Sequence, residues 1–272
     1  HVGYCRSITF KGVTVENMAD QGIFAQRAVG LSEFIDMNVL NSTFRNIGND
    51  AGISGSVPDG AAVSIFGEDQ SKVIGCTFEN NLRDLEIYAG FNRNITISDN
   101  NSHNMRQHFW CDFGTNAENI TISDNVIDSA GTNTVLGGLY FITVGNGNGV
   151  VIANNTISGR GVGVYVAPAG TTPVLGLIIE NNSFNGVIDS ITAYRNIGNA
   201  NFINGMIIQG NMCVSNDYQA IFVSGADIII SENIILDCGR AGQSYAILAG
   251  LGGTTSPSTN VAVYENTIGH TM

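Results

Sequence analysis

Lysine is almost missing. Lys11 and Lys72 are the only two in 272 residues, and lysine and arginine together number 11 against 23 acidic residues. A formal net charge of −12 with no basic stripe leaves nothing to displace counterions from DNA or RNA, which excludes nucleic acid as a partner. Proline is also scarce, at four residues, and 43% of the chain is hydrophobic, so a disordered chain is excluded as well. No apolar run reaches the roughly 18 residues of a membrane-spanning helix, and no membrane insertion is expected. The five cysteines include no C-x-x-C pair, so the usual zinc spacing is absent and no metal site is expected. Cys76, Cys111 and Cys213 fall on apolar or repeat positions, where free buried thiols are expected. Charged residues make up only 12% of the chain beside 34 glycines, which is not the composition of a helical protein.

What the chain has in abundance is repetition. The heptapeptide Asn-Ile-Thr-Ile-Ser-Asp-Asn runs from Asn94 to Asn100 and again from Asn119 to Asn125. Each copy places isoleucine at alternate positions, the period of a strand with one buried face. Ten segments align on the last Asn of this heptapeptide, at Val13, Ser42, Cys76, Asn100, Asn125, Asn155, Asn182, Asn211, Asn233 and Asn266. The mean spacing is about 28 residues, too short for a strand plus a covering helix layer, and describes a solenoid of stacked parallel strands. In such a stack the aligned asparagines sit one above another about 4.8 Å apart, where their amides can bond along the column and satisfy buried backbone groups. Asn94, Asn119, Asn154 and Asn181 also stand in N-x-[ST] sequons, and the repeat by itself accounts for them as turn and strand asparagines.

A second apolar segment follows in each coil, among them Leu85–Tyr88, Phe109–Phe113 and Val162–Val166. Alternation predicts that Leu85, Ile87, Phe109 and Cys111 point inward, and that Asp84, Glu86, Tyr88, His108, Trp110 and Asp112 point outward. Glu86 and Trp110 each lie ten residues beyond their aligned position, which predicts that they stack as neighbours. The same count pairs Tyr88 with Asp112 and Asp84 with His108, and continues the column through Tyr165 and Thr192. Tyr194, Phe222 and Tyr140 add outward aromatics. A row of exposed aromatics with carboxylates on a rigid sheet is the pattern of a groove for an extended ligand. Tyr88, Trp110, Tyr165 and Tyr194 would stack on sugar rings, and Arg83 and Arg106 would hold acidic groups.

Glu86 and Asp112, one rung and two residues apart, would hold their carboxylates very roughly 6–9 Å apart, a separation suited to glycoside hydrolysis. Trp110 beside Glu86 would raise its pKa, as a general acid requires, and His108 could serve as a base. Asp84 is a reserve carboxylate. Three insertions, at Arg45–Ala61, Asp128–Gly138 and Asp237–Ser244, would wall the groove.

Through I-x-I-x-x-N-x-[IF] coils that cover nearly the whole chain, the sequence resembles the right-handed parallel β-helix proteins. The resemblance implies an all-β, right-handed parallel β-helix solenoid of about ten coils, forming one domain over residues 1–272. That fold includes pectin and alginate lyases, polygalacturonase-like hydrolases, polysaccharide epimerases and trimeric phage tailspikes. The chain looks most like the tailspike and polysaccharide-depolymerase bodies. This implies a polysaccharide partner, a homotrimer, and a place on a virion tail or outside the cell. Ordinary rungs at both ends, with no capping helix, carry the expectation of a body cut from a longer protein. Two other readings stay open: a secreted lyase or hydrolase core, and a non-catalytic adhesive solenoid. The polygalacturonase-like G-H-G and R-I-K and the pectate-lyase-like R-x-P-x-x-R are absent. No cofactor is expected, apart from calcium if the chemistry is that of a lyase.

Overall fold

The structure, a computed structural model, describes residues 7–26, 36–48, 60–66, 69–87, 91–112, 116–129, 140–145, 147–166, 168, 173–193, 203–239, 245–250 and 258–270. Among the described residues the chain winds through three parallel sheets of 13, 10 and 9 strands, and every coil but the last contributes to all three. The ten strands of the second sheet correspond to the ten coils counted in the sequence. The two heptapeptides lie side by side in the first sheet, with Ile95 paired to Ile120 and Ile97 to Ile122. All four isoleucines are buried.

Residues with positive φ bend the coil, between strands or, as at Asn94, Asn119 and Asp227, within one. One column of them runs Asn94, Asn119, Gly149, Gly176, Gly205 and Asp227, and another includes Asp99, Asp124, Asn154, Asn181 and Gly210. Asparagine, aspartate and glycine tolerate this left-handed conformation best. All four sequon asparagines therefore sit where the backbone needs a positive φ, and Asn119 Nδ2 donates to Asn94 Oδ1 at 3.2 Å. The first column also splits the first sheet. Short strands Gly147–Asn148, Val174–Leu175 and Ile203–Asn204 form one branch, and Val151–Ala153, Ile178–Glu180 and Ile207–Gln209 form the other.

Inside the coil, the aligned asparagines form the expected ladder. Asn100 Nδ2 donates to Asn125 Oδ1 at 2.9 Å, and the same bond repeats from Asn125 to Asn155, Asn182, Asn211, Asn233 and Asn266 at 2.9–3.0 Å. Each oxygen also accepts the backbone N–H of the asparagine before it, as in Asn125 N to Asn155 Oδ1 at 3.1 Å. Each nitrogen also reaches back to a carbonyl of the preceding coil, as in Asn125 Nδ2 to Ile97 O. Apolar side chains stack in the same manner, Phe44 on Phe78 with ring centroids 5.3 Å apart. Cys76 and Cys213 are free and buried, as the pattern predicts, and burial pushes the Cys213 thiol up to about 12.

Candidate functional site

The third sheet does not alternate from its first residue. In Tyr140–Val144 and Val162–Val166 the first and fourth residues are half-buried, whereas the second, third and fifth are buried. Two consecutive residues therefore face the lumen, such as Phe141 and Ile142, because the coil bends as it enters the sheet. This leaves two outward columns. One runs through Ala61, Arg83 and His108, and resumes through Tyr140, Val162 and Asp189. The other runs through Ser64 and Glu86, and resumes through Thr143, Tyr165, Thr192 and Phe222.

The predicted column of Glu86, Tyr165 and Thr192 therefore stands, and Phe222, expected only to face outward, extends it, but the predicted place of Trp110 in it does not. Cys111 is the partner of Glu86, and Trp110 pairs with Leu85 and Ile142. Trp110 is 1% exposed and belongs to the core. The cause is a turn. Between the second and third sheets one coil uses Asn80, Asn81 and Leu82, whereas the next uses Asn104, Met105, Arg106 and Gln107. The extra residue moves the register by one, and a shift of one exchanges the faces of a strand. The other two predicted pairs fail for the same reason. His108 stands beside Arg83 instead of Asp84, and Asp112 stands beside Ile87 instead of Tyr88. Tyr88 and Tyr194 lie outside the described residues, as does most of the three predicted insertions.

Arg83, Glu86, Gln107 and His108 form one buried network on the outward side. The Arg83 and Glu86 side chains are 2% and 4% exposed, with Arg83 Nη1 3.2 Å from Glu86 Oε2. Arg83 Nε donates to Gln107 Oε1 at 2.8 Å. His108 Nδ1 lies 2.9 Å from the Tyr140 carbonyl, which can only accept, so the ring proton sits on Nδ1. Burial first, and then the Arg83 charge, push the His108 pKa down to about 3, so the imidazole is neutral at physiological pH. The groove predicted around Glu86 and His108 is thus a covered polar cluster instead of an open surface.

Open surface begins at the next rungs. The His108 and Tyr140 rings are nearly parallel, 6.0 Å apart, and Tyr140 stacks on Tyr165 at 4.4 Å and 25°. Both tyrosines are half-buried. Thr143, next to Tyr165 in its column, has a buried Oγ1 without a partner among the described residues, and so has Ser64, next to Glu86.

Asp84, predicted to face outward, is in the lumen. It is 1% exposed and accepts hydrogen bonds from Asn81 Nδ2 at 3.0 Å and from Ser102 Oγ. Burial pushes its pKa up to about 7. Arg106 donates through Nη2 to the Gly48 carbonyl at 3.0 Å, and burial lowers its pKa.

Sequence reasoning missed Asp189. It opens the strand Asp189–Ala193 in the outward column of Tyr140 and Val162. Oδ1 accepts the Gln219 N–H at 2.9 Å, and Oδ2 accepts from Thr192 Oγ1 at 3.4 Å. Half-burial raises its pKa. The signal was present: a polar residue just before two inward residues marks the bend, as Tyr140 does before Phe141 and Ile142. Among the described residues no group of three His, Cys, Asp or Glu could hold a metal ion.

Residues 1–184 match a family profile described as right handed beta helix region. Among solved structures the chain is similar to the surface protein and adhesin PfbA of Streptococcus pneumoniae. Identity is 12% and the TM-score 0.53, over 96% of this chain and 66% of that one. It is also similar to a double mutant of the tailspike protein of E. coli bacteriophage HK620 in complex with pentasaccharide. Identity is 13% and the TM-score 0.52, over 96% of this chain and 56% of that one. The chain thus spans less than two thirds of the length of either structure, and the likeness is one of fold. No curated protein matches it.

Proposed function

The chain belongs to the right-handed beta-helix family, and from that premise we propose that it binds a polysaccharide along the outward face of its third sheet. The observation that carries this reading is the stacked pair Tyr140 and Tyr165, 4.4 Å apart, half-exposed on adjacent rigid strands. Rings stacked on one another cover their facing sides, so a glycan would meet their outward edges and the far face of Tyr165, and the rung spacing repeats on the scale of one sugar ring. The covered network beneath supports them, since His108 fixes the backbone of Tyr140 through its carbonyl.

In its finer form the reading is a tailspike-like depolymerase of bacterial surface glycan, a homotrimer carried on a virion tail or acting outside the cell. Cleavage would then draw on Glu86, Asp112 and His108. The second reading is an adhesive β-helix that binds without cleaving. It is favoured by one observation: Glu86 is closed off from solvent and ion-paired to Arg83.

The test is a panel of bacterial capsules, O-antigens and uronate polymers, followed for binding, for new reducing ends and for the ultraviolet absorbance of an unsaturated uronate. Reducing ends alone mean hydrolysis, both signals together mean β-elimination, and binding without either supports the adhesive reading. No binding to any polymer overturns the glycan reading. Light scattering of the native protein tests the trimer.

A further inference from the structure

We propose that the glycan taken by this face is uncharged along its backbone, and that Asp189 is the carboxylate that accepts its hydroxyls. The inference rests on the glycan-binding reading above and narrows it to a substrate class.

Charge on the two outward columns carries the argument. Among the described residues, Arg83 is the one permanent cation in either column, and it is enclosed between Glu86 and Gln107. His108 is neutral in its buried place. Arg106 points its guanidinium at the Gly48 carbonyl. Arg160 is exposed, but it lies in the turn before Val162, off both columns. The charge left on the open part of the face is Asp189, and it is negative. A uronate polymer would set carboxylates against this carboxylate in a partly desolvated site, with the one column cation among the described residues already enclosed. The net charge of −12 acts in the same sense at longer range. An uncharged glycan meets neither penalty.

The groups on the face also match hydroxyls. Asp189 is held by the Gln219 N–H and the Thr192 hydroxyl, and Thr192 is the strand partner of Tyr165. A carboxylate so fixed keeps acceptor capacity on both oxygens. On the other side of Tyr165 stands Thr143, whose hydroxyl has no partner among the described residues. Buried polar atoms without partners are rare, and a hydroxyl can both donate to and accept from another hydroxyl. Acceptor, aromatic ring and hydroxyl thus follow one another over three rungs. One chemical consequence follows. β-Elimination needs a carboxyl group next to the carbon that loses its proton, so an uncharged glycan would be bound or hydrolysed, never eliminated.

The experiment is an array of capsules and O-polysaccharides, half of them uncharged and half carrying uronates, probed with the native protein at low and high salt. The expected hits are uncharged and insensitive to salt. Asp189→Asn, which keeps an acceptor for the Gln219 N–H, should weaken them about tenfold with unchanged circular dichroism. Asp189→Lys should lose them. Hits confined to uronate polymers, or an Asp189→Asn variant that binds as well as the native protein, would overturn the proposal and leave the glycan-binding reading standing. An empty array would overturn both.

Discussion

Trp110 stands in line with Leu85, and Glu86 stands in line with Cys111. That offset of one residue moves the tryptophan from the ligand face to the core and hands the aromatic role to Tyr140 and Tyr165. It also separates what each ring contributes. Trp110→Ala should destabilise the fold by about 3–5 kcal/mol, as loss of a large core side chain does. Tyr165→Ala should leave the melting temperature nearly unchanged and weaken glycan binding by about tenfold or more. Thermal melts and binding isotherms on the two variants check this. A Trp110→Ala protein that is stable yet fails to bind would return the tryptophan to the surface.

The buried Arg83–Glu86 pair should behave as a unit. Arg83→Met alone leaves a carboxylate without its cation in a closed site and should cost about 3–5 kcal/mol. Arg83→Met with Glu86→Leu should cost much less, because the desolvation of both charges disappears together. Denaturant unfolding of the two variants gives the comparison, and equal costs would show that the pair is not coupled.

Asn155 is bonded on both sides. Its oxygen accepts from the backbone and side chain of Asn125, and its nitrogen donates to Asn182 and to the Ile122 carbonyl. Asn155→Ala strips partners from buried groups in both adjacent coils, each worth about 1–3 kcal/mol when left unmade. A total loss of at least about 3 kcal/mol is expected in chemical unfolding, more than for alanine at the exposed turn residue Asn154.

Asp84 and His108 should give opposite pH dependences. The Asp84 carboxyl goes from an ordinary 3.8 to about 7 on folding, so the folded state holds the extra proton between those values. Its contribution to stability is present at low pH and lost as pH rises toward 7. The His108 imidazole goes from 6.5 to about 3, so the unfolded state holds the extra proton. Its contribution is present above 6.5 and lost as pH falls toward 3. Between 3.8 and 6.5 the two effects cancel in the native protein. Relative to it, Asp84→Asn should lose stability on acidification and His108→Asn should gain it, each by about 1.4 kcal/mol per pH unit. Melting curves across this window decide, and parallel shifts at every pH would reject the buried titrations.

The coil count, the asparagine ladder and the inward isoleucines were legible because each repeats with its neighbours and every coil confirms the last. The third sheet was legible at Tyr165 and Thr192, where the turns 159–161 and 186–188 before it are of equal length. It was misread at Trp110, where one added residue between Asn104 and Gln107 changed the face. Period-2 reasoning also had no means of placing Asp84. It lies inside because the bend turns two successive residues inward and because Ser102 and Asn81, from the adjacent coil and the adjoining corner, supply its hydrogen bonds. Charges were the least legible feature. Arg83 and Glu86 have the composition of a wet surface, and only the three-dimensional fold shows them enclosed.

The asparagine column has a direction. Every side-chain oxygen faces the preceding coil and every ladder donor faces the following one, from Asn100 to Asn266. Turning over any one inner amide would set oxygen against oxygen on one side and nitrogen against nitrogen on the other, two faults for a single error. The amides are therefore aligned like spins in a ferromagnet. Their common orientation is a property of the column, and each new coil inherits it from the one already in place.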